Sequence, residues 1–391
     1  MIKAIHFLNS GGGGTLSVVQ NILRFSKRQE VEHHVIYTVN MAHAPNFSVL
    51  NLAGAASEQV FFYSANWNFY YTCKRLAAML PSADALLVSH DWIELGMAST
   101  LGLQNPVLQF LHGDYDYYYD LAVKHEQAID EYITVSPVIR RELAKRLPQR
   151  IKDIKYLRFP VPYAEAISGK TNQVLKLIFC ARDLTDTNKR FDLLPKVNQI
   201  LKENNCKVHW TIVGGGATFE EVARQMNQYE YLHYYPYLPN QDLLLQMAEQ
   251  DLLILPSVLE GFPVVVVEAM KAGVLPLISN WQNATVELVK DGETGFYLDI
   301  SDYKGYAERI IFLDRERVLL KSMALQCAAQ ANKLFNPELN TQAIESVMLR
   351  SYNKAFKTKP VKRVYGSRLD RRWVPNIITS TIRKFSKAQK A

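Results

Sequence analysis

The chain is poor in cysteine, with four in 391 residues: Cys73, Cys180, Cys206 and Cys327. They are scattered and form no Cys-x-x-Cys pair, which excludes a zinc site of that type and a disulfide framework. We expect reduced core cysteines in a cytoplasmic protein. The chain also lacks an apolar run near the roughly 20 residues that span a bilayer. Its N-terminal residues 1–8 indicate a first strand that leads into a glycine loop, and not a signal peptide.

Acidic residues are almost missing from the C-terminal tail. From Lys354 to Ala391 there are 12 lysines and arginines against one acid, Asp370, a formal charge of +11. The rest of the chain has 33 basic and 37 acidic groups, so the body is mildly acidic at −4. Binding to nucleic acid is not expected, because no recognisable binding module accompanies the charge.

The length predicts two domains, and short β-rich runs alternate with amphipathic stretches, which predicts parallel, doubly wound α/β sheets. Helices are expected at 16–25 and 139–147, and a linker at 159–174. A ligand is expected at the carboxyl ends of the strands. The predicted strands are 4–8, 34–39, 59–63, 85–89, 107–111 and 132–135, and then 175–180, 208–213, 232–235, 252–255, 275–279 and 295–298.

The most informative stretch runs from the strand at 251–255 to Gly273 and holds two carboxylates, Glu260 and Glu268. Pro263 suits the first position of a helix, because its missing N–H costs nothing there, and Gly273 suits the helix end. The four valines after Pro263 favour a strand by propensity, but the proline and glycine predict a helix. Phosphates are favoured at a helix start, so the stretch fits a nucleotide sugar.

This stretch resembles the Glu-x7-Glu signature of retaining GT-B glycosyltransferases, in particular of family 4, the glycosyl transferases group 1. The resemblance implies that Glu260 contacts the donor sugar and that Glu268 contacts the ribose. A surface helix with two solvated glutamates is the alternative. The donor is also expected to meet the residues at the helix start, which are Gly261, Phe262, Pro263 and Val264.

The resemblance covers about residues 1–350 and is clearer in the second half. It implies the GT-B architecture, in which two Rossmann-like doubly wound parallel-sheet domains face a cleft. We therefore expect an acceptor domain at 1–165 and a nucleotide-sugar donor domain at 166–340. A helix at 341–356 would cross back to the first domain, and 357–391 would form a basic amphipathic tail.

Arg182 and Lys189 follow the first strand of the second domain. A departing nucleoside diphosphate develops negative charge, which fixed cations stabilise without proton transfer. The spacing resembles the family's Gly-Arg…Lys-Gly pair, which grips the pyrophosphate. Ala181 stands in place of the first glycine and Arg190 in place of the second, so Arg190 competes with Lys189 for this role. An exposed charged loop is the alternative.

Residues 10–15 form a glycine-rich loop between the first strand and a helix, where backbone can approach a phosphate without Cβ clashes. A dinucleotide site is the obvious rival. The G-x-G-x-x-G spacing fails, however, and the second strand lacks the acid that would hold an adenosine ribose. The loop resembles the amino-terminal glycine loop of family 4 enzymes, which implies donor contacts at Gly12 and Gly13. A flexible turn is the alternative.

His112 follows the strand at 107–111 and resembles the family's histidine that faces the donor sugar. An imidazole can bond a sugar hydroxyl and stabilise developing charge. His90 is expected nearer the acceptor, as are Asp114 and Tyr115. A structural role is the alternative for both histidines. Asp114 and Asp116 also match the Asp-x-Asp of metal-dependent glycosyltransferases, but the tripeptide is common by chance, and we expect no metal.

Gly214 and Gly216 follow a strand and resemble the family's Gly-x-Gly turn beneath the nucleotide. Tyr237 follows the next strand, where the family's backbone meets the nucleobase. An aromatic side chain there either stacks on the base or packs in the core. Both readings are open from the sequence.

The resemblance implies transfer of a hexosyl-type group from a nucleotide diphosphate sugar to a hydroxyl, with retention and without a cofactor. No carboxylate pair is placed as acid and nucleophile, so we expect the family's front-face mechanism, carried by His112, Glu260, Arg182 and Lys189. Two competing classes remain. One is a nucleotide-sugar 2-epimerase of the same architecture, and the other is a catalytically silent sugar-nucleotide binding protein.

The tail predicts a membrane contact. Residues 376–385 place apolar side chains near one helical face, with arginines and lysines around them, which suits an anionic leaflet. A lipid-linked acceptor in envelope polysaccharide synthesis would make such docking useful. The alternatives are a solvated tail and a tail packed on its own first domain. The apolar positions are Ile377, Ile378, Ile382 and Phe385, with Thr381 on the same face.

Overall fold

The computed structural model describes residues 1–9, 13–164, 173–216, 218–226, 231–281, 288–354, 358–363 and 366–388. The contacts divide the chain into two compact units. Unit 1 combines Met1–Pro160 with Glu338–Ala391, and unit 2 is Val161–Pro337. The C-terminal tail therefore belongs to the same unit as the N-terminal residues.

Unit 1 contains a parallel sheet whose strands within the described residues are β1 (Ile2–Asn9), β2 (Val31–Asn40), β3 (Ser57–Tyr63), β4 (Leu86–Ser89), β5 (Val107–Leu111), β6 (Glu131–Thr134) and β7 (Ile154–Tyr156). Their order across the sheet is β3-β2-β1-β4-β5-β6-β7. The order reverses between β1 and β4, as in a doubly wound fold. β4 and β5 are buried along their whole length, because strands covered on both faces are continuously apolar.

Unit 2 contains a second parallel sheet, formed in the described residues by β8 (Leu175–Asp183), β9 (Val208–Gly215), β10 (Leu232–Tyr235), β11 (Leu252–Leu255), β12 (Leu275–Ser279) and β13 (Phe296–Leu298). Its order is β10-β9-β8-β11-β12-β13, so the reversal lies between β8 and β11. The two doubly wound parallel-sheet domains predicted from the sequence are confirmed.

Helices connect the strands, as βαβ units require. The sequence explains why one of these helices begins at Pro137. The side chain of Ser136 accepts a hydrogen bond from the amide of Ile139, and Pro137 occupies the first turn. The α-helices of the described residues are α1 (Gly14–Phe25), α2 (Phe69–Ala77), α3 (Ile93–Leu101), α4 (Asp116–Lys124), α5 (Pro137–Arg146), α6 (Leu194–Glu203), α7 (Thr218–Met226), α8 (Asn240–Ala248), α9 (Val264–Lys271), α10 (Tyr303–Arg315), α11 (Arg317–Leu334), α12 (Pro337–Asn353) and α13 (Asn376–Ala388).

The four valines lie in a helix, as predicted, because Val266 and Val267 are fully buried and packing overrides their strand propensity. One detail was wrong: Pro263 is the residue before α9 and not its first helical residue, since its ψ of 97° is extended. A second difference concerns β2. It begins at Val31, three residues before the predicted start, because Val31 pairs in register with Ile2 of β1.

The tail packs against unit 1 through buried polar contacts. The Lys359 ammonium lies 2.5 Å from Asp130 and also donates to the carbonyl of Ala128. Asp370 is buried and accepts from the amide of Phe69 at 2.7 Å and from the Arg383 guanidinium at 2.5 Å. Of the two alternatives to a membrane contact, the solvated tail is therefore wrong for the segments around Lys359 and Asp370, which pack on unit 1. No helix within the described residues is both long and apolar enough to cross a membrane.

Candidate functional site

The candidate residues follow the strands that flank the point where each sheet reverses its order. In unit 2, Arg182 lies at the end of β8 and Glu260 follows β11. In unit 1, His90 follows β4 and His112 follows β5. Ligands of open α/β sheets bind in the crevice outside the carboxyl ends of the strands at this reversal. Each unit therefore presents its chemistry-bearing side chains at the expected edge.

Lys189 and Glu260 form an ion pair in unit 2. The Lys189 Nζ donates to Glu260 Oε1 over 2.7 Å, and Glu260 is only 7% exposed. Lys189 ends a short 3-10 turn, Thr187–Lys189, which follows β8. A cation and a carboxylate are thus held at one place beside the loop that precedes α9. This is the pair that the sequence proposed for the diphosphate and the donor sugar.

The sequence analysis missed Asn188, which ties these two segments together. Its side-chain amide donates to the carbonyl of Leu259 at 2.7 Å, and its Oδ1 accepts from the Leu259 amide at 2.9 Å. Its backbone carbonyl accepts from the amide of Val258 at 2.8 Å. These three bonds fix the loop immediately before Glu260. In the sequence, only the position of Asn188 beside Lys189 pointed to this role. An asparagine in a polar loop is too common to indicate one by itself.

Arg190 has other partners. Its backbone is left-handed, with φ 54°, and its guanidinium bonds both carboxylate oxygens of Asp192, at 2.9 and 3.0 Å. It also contacts the hydroxyl of Ser301. Lys189 and not Arg190 therefore lies against Glu260. Arg182 is exposed at the carboxyl end of β8.

Glu268 is a buried carboxylate on α9, 4% exposed. Burial raises its pKa, and a hydrogen bond from Asn240 opposes the shift. The Asn240 side-chain amide lies 2.9 Å from Glu268 Oε1. Because a carboxylate can accept about four hydrogen bonds, one amide donor leaves capacity for ligand hydroxyls. Asn240 opens α8 and was also missed, since nothing in the sequence pairs it with Glu268.

The start of α9 meets the requirements for binding an anion. The carbonyl of Pro263 accepts from the amide of Val266 at 3.0 Å, so the amides of Val264 and Val265 are those of the open first turn. Phe262 packs against the ring of Phe335, with centroids 6.0 Å apart, and Gly261 precedes it. The turn that carries the helix start is thus anchored in the body of unit 2.

Lys271 and Gly273 at the end of the same motif have structural tasks. Lys271 is fully buried and donates to the carbonyls of Val161 at 2.5 Å and Phe335 at 2.8 Å. It joins the beginning and the end of unit 2 at α9. Gly273 ends the helix with φ 68°, a conformation that favours glycine.

Gly214 and Gly216 allow close packing at the end of β9. A Cβ on Gly214, whose φ is 153°, would lie 2.2 Å from the carbonyl oxygen of Ala181. The carbonyl of Gly215, between them, accepts from the amide of Leu184 at 2.7 Å. The glycines therefore bring the ends of β8 and β9 together. Tyr237 is 76% exposed, so the alternative of core packing is wrong for this residue.

In unit 1, His90 and His112 are in direct contact, with 2.8 Å between His90 Nδ1 and His112 Nε2. Burial lowers the pKa of His112 to about 3, and burial followed by the charge of His112 lowers the pKa of His90. Glu94 holds this strand end, because its Oε1 accepts from Ser89 Oγ and from the amides of His90 and Asp91. Burial raises the pKa of Glu94 to about 7.

Asp114 and Asp116 bond to different partners. Asp114 accepts from the hydroxyl of Tyr119 at 2.5 Å, and Asp116 pairs with Arg146 at 2.7 Å. Tyr115 lies between them, directly before α4. Within the described ranges no group of three or more histidine, cysteine, aspartate or glutamate side chains is arranged to hold a metal ion.

The glycine loop is described only in part. Gly12 lies outside the described residues. Gly13 directly precedes α1 with φ 79°, a left-handed conformation in which a Cβ would be strained although nothing lies within 4 Å of it. The glycine at this position is therefore explained by backbone conformation, and the space beside it is open.

A family model described as Glycosyl transferases group 1 matches residues 165–334. The match lies within unit 2 and includes Lys189, Glu260 and Glu268. It covers less than half of the chain and leaves unit 1 unmatched. The region that resembles the family is therefore the one that holds the ion pair and the buried carboxylate.

Two curated proteins show partial similarity. An uncharacterized 41.2 kDa protein in the cps region of Klebsiella pneumoniae is 31% identical over 130 residues, which are 33% of this chain and 34% of that protein. The N-acetyl-alpha-D-glucosaminyl L-malate synthase of Bacillus anthracis is 26% identical over 157 residues, 40% of each chain. The chain thus spans about a third to two fifths of the length of these relatives.

Solved structures match over most of the chain. HepE of Anabaena, in complex with UDP and glucose, has a TM-score of 0.71 at 15% identity, over 90% of this chain and 100% of that one. The pneumococcal O-GlcNAc transferase GtfA, in complex with UDP and GlcNAc, has a TM-score of 0.69 at 11% identity, over 90% and 99%. The likeness shows the fold, and the GT-B architecture of two Rossmann-like domains is confirmed.

Proposed function

We propose that this chain is a retaining glycosyltransferase that moves a hexosyl-type group from a nucleotide diphosphate sugar to a hydroxyl of a glycan or lipid-linked acceptor. The observation that carries the proposal is the ion pair between Lys189 and Glu260, beside the helix start that follows Pro263. A diphosphate and a sugar are the two chemistries that this arrangement accommodates together. The match of unit 2 to glycosyl transferases group 1 supports it.

Each part of the donor has a partner in this proposal. The diphosphate lies between the first amides of α9 and the Lys189 ammonium, with Arg182 as the second cation. Glu260 accepts hydrogen bonds from sugar hydroxyls, and Glu268 accepts them from the ribose. Tyr237 stacks on the base, since its ring is exposed. Gly214 and Gly216 keep the ends of β8 and β9 close together beneath the nucleotide.

The proposed chemistry needs no protein nucleophile. The bond between the anomeric carbon and the diphosphate oxygen breaks, and its electron pair stays on the diphosphate. The acceptor oxygen attacks the same face of the oxocarbenium-like sugar and gives its proton to the departing phosphate oxygen. Lys189 and Arg182 stabilise the charge that develops on the diphosphate, which is why no metal and no cofactor are included. For His112 we propose a contact with a sugar hydroxyl.

The test is a thermal-shift panel of nucleoside diphosphates and nucleotide sugars in EDTA, led by UDP compounds because both structural neighbours hold UDP. A ligand at 100 times its Kd adds about 2.7 kcal/mol of stability, so several degrees in Tm are expected. Stabilisation and subsequent transfer to an acceptor hydroxyl should both persist in EDTA. Conversion of the donor to its 2-epimer without acceptor would instead make the chain an epimerase. Activity lost in EDTA and restored by Mn²⁺ would give the cation role to a metal.

We also propose that the tail places the enzyme on the inner face of an anionic membrane, in envelope polysaccharide synthesis. The supporting observation is the orientation of α13. Its polar side faces the body: Thr379 is fully buried and Arg383 reaches Asp370. Its apolar side faces outward, and exposed apolar side chains grouped on one helix face are of the kind that marks a binding surface. The exposed side chains are Ile377, Ile378, Ile382 and Phe385, and Trp373 just before the helix, at 74%, 47%, 43%, 69% and 67%.

A lipid leaflet suits this patch because basic residues surround it. Arg372 and Lys384 are exposed beside the apolar side chains, and each basic residue near an anionic surface contributes about 1 kcal/mol. A helix that lies on the interface with its apolar face inward is held by buried apolar area plus this attraction. A lipid-linked glycan acceptor would be met at the same surface.

Co-sedimentation of the full chain with vesicles tests the membrane proposal. The variant Ile377→Ser/Phe385→Ser should bind anionic vesicles at least tenfold more weakly, because burying each side chain contributes about 1.5–3 kcal/mol. Val318→Ser is the matched control, an 86% exposed apolar residue on α11. Point variants are preferable to truncation, which would also remove the buried Lys359 and Asp370 contacts. Equal binding of all three proteins, or none by the parent, would contradict the proposal.

A further inference from the structure

Four histidines form a continuous row of contacts in unit 1. His112 Nε2 lies 2.8 Å from His90 Nδ1, and His90 Nε2 lies 3.1 Å from His6 Nδ1. His6 Nε2 lies 3.0 Å from His33 Nδ1. His33 is on β2 and His6 on β1, while His90 and His112 follow β4 and β5. These strands are neighbours in the order β2-β1-β4-β5, so the row crosses the sheet from one strand to the next.

The row ends at Glu345 on α12. His33 Nε2 lies 3.3 Å from Glu345 Oε1, which also accepts from the hydroxyl of Ser26 at 2.5 Å. The Arg28 guanidinium lies 3.7 Å from the other carboxylate oxygen, and the Glu345 side chain has no exposed surface. The Glu345 Oε1 is therefore an acceptor.

An acceptor at one end fixes the direction of every hydrogen bond in the row. A neutral imidazole has one N–H and one bare nitrogen, so each ring that donates on one side must accept on the other. His33 donates from Nε2 to Glu345, which leaves its Nδ1 to accept from His6 Nε2. The same reasoning passes through His90 to His112. His112 then carries its hydrogen on Nε2, and its Nδ1 is a hydrogen-bond acceptor.

In a row of neutral rings, the opposite direction costs free energy. It would place the bare Nε2 of His33 against Glu345 Oε1, so two acceptors would face each other in a buried place, at about 1–3 kcal/mol. An additional proton on an inner ring is also disfavoured. Burial holds the pKa values of His6 and His90 well below the usual range, and that of His112 at about 3. These three rings are neutral at physiological pH.

We propose that Glu345 is a positioning residue which, through His33, His6 and His90, fixes His112 as the Nε2–H tautomer and presents Nδ1 as the acceptor for a substrate hydroxyl. This rests on the proposed function for the role of His112 towards a sugar. The row thereby determines which kind of group His112 recognises. It binds a hydroxyl that donates, and it does not donate from Nδ1.

The tautomers can be measured directly on the full chain labelled with ¹⁵N-histidine. Long-range ¹H–¹⁵N correlations distinguish the two ring nitrogens, and the chain has nine histidines to assign. We expect the Nε2–H form for all four members of the row, with no titration of His6, His90 and His112 between pH 8 and pH 5. An Nδ1–H form of His112 in the parent protein would overturn the proposal without any variant.

Two variants test whether Glu345 fixes the tautomer of His112 through the row. Glu345→Leu removes the acceptor and His6→Phe interrupts the row, and each should convert the single His112 tautomer into a mixture. Glu338→Gln, on the same helix, is the surface control, and His125→Phe replaces a buried histidine outside the row that contacts Ser99. A His112 tautomer unchanged by both test variants would overturn the proposal.

Kinetics separate this inference from the proposed function. In Glu345→Leu, kcat/KM for a nucleotide sugar should fall about tenfold while the affinity for the bare nucleoside diphosphate is unchanged, because only the sugar meets His112. The tautomer spectrum needs no substrate. A correct spectrum in a chain that transfers no sugar would refute the glycosyltransferase and leave the row intact, and a wrong spectrum in an active enzyme would do the reverse.

Discussion

Replacing Lys189 by alanine is expected to lower kcat about 10²–10³-fold, the usual effect of removing one preorganised group that stabilises developing charge. The ammonium of Lys189 lies 2.7 Å from Glu260, beside the helix start where we place the diphosphate. In the proposed site, its loss removes a cation from beside the leaving group. It also leaves a carboxylate that is 7% exposed without this partner. The assay is release of nucleoside diphosphate coupled to acceptor glycosylation.

Arg190→Ala is the matched control for Lys189, because it is the adjacent cation and has its own partners, Asp192 and Ser301. We expect its kcat to stay within a factor of a few of the parent value. Thermal denaturation of both variants separates loss of stability from loss of catalysis. A larger loss of activity for Arg190→Ala than for Lys189→Ala would reverse the assignment of the cation.

The regular part of the fold could be predicted from the sequence because it depends on local patterns. The strand β11, Leu252–Leu255, is a run of apolar residues and is buried along its whole length. The helix with four valines could be predicted from Pro263 and Gly273, although propensity argued against it. Boundaries were less accurate. β2 extends to Val31 only because β1 offers partners there, a pairing that no single strand reveals.

The contacts of the candidate site were less predictable, because they join residues far apart in the sequence. Asn188 and Asn240 support Glu260 and Glu268, yet an isolated asparagine has no pattern to identify it. The histidine row is the clearest case. His6 and His33 carried no signal until the strand order β2-β1-β4 placed His33 beside His6 and His6 beside His90.

The tail shows a different limit. Periodicity predicted an apolar face on α13, but which way that face points depends on tertiary contacts. The buried Asp370 holds Arg383, and buried Thr379 bonds the carbonyl of Leu369, so the polar side turns inward. A sequence pattern shows that a helix has an apolar face, but it does not show which way that face points on the folded domain.

Glu268→Gln and Glu260→Gln should weaken donor binding in different ways. Hydrogen bonds to a charged group contribute roughly 1.5–3 kcal/mol, or about ten- to a hundredfold in affinity. Glu268→Gln should lower the affinity for both the nucleoside diphosphate and the nucleotide sugar, because both contain the ribose. Glu260→Gln should lower the affinity for the nucleotide sugar more than the affinity for the nucleoside diphosphate. Calorimetric titration of each variant measures this, and Glu293→Gln, an exposed glutamate of unit 2, is the control.

The pH dependence provides a second and independent test of Glu268. Burial raises its pKa, so the free protein takes up a proton there at a higher pH than an exposed glutamate does. In the proposed site, the ionised form is the one that accepts from both ribose hydroxyls. Affinity for the nucleoside diphosphate should therefore fall as the pH is lowered through this raised pKa, and Glu268→Gln should remove that step while the Asn240 contact to the side-chain oxygen remains available. Equal affinities and identical pH profiles in the parent and both variants would refute the placement of the donor at α9.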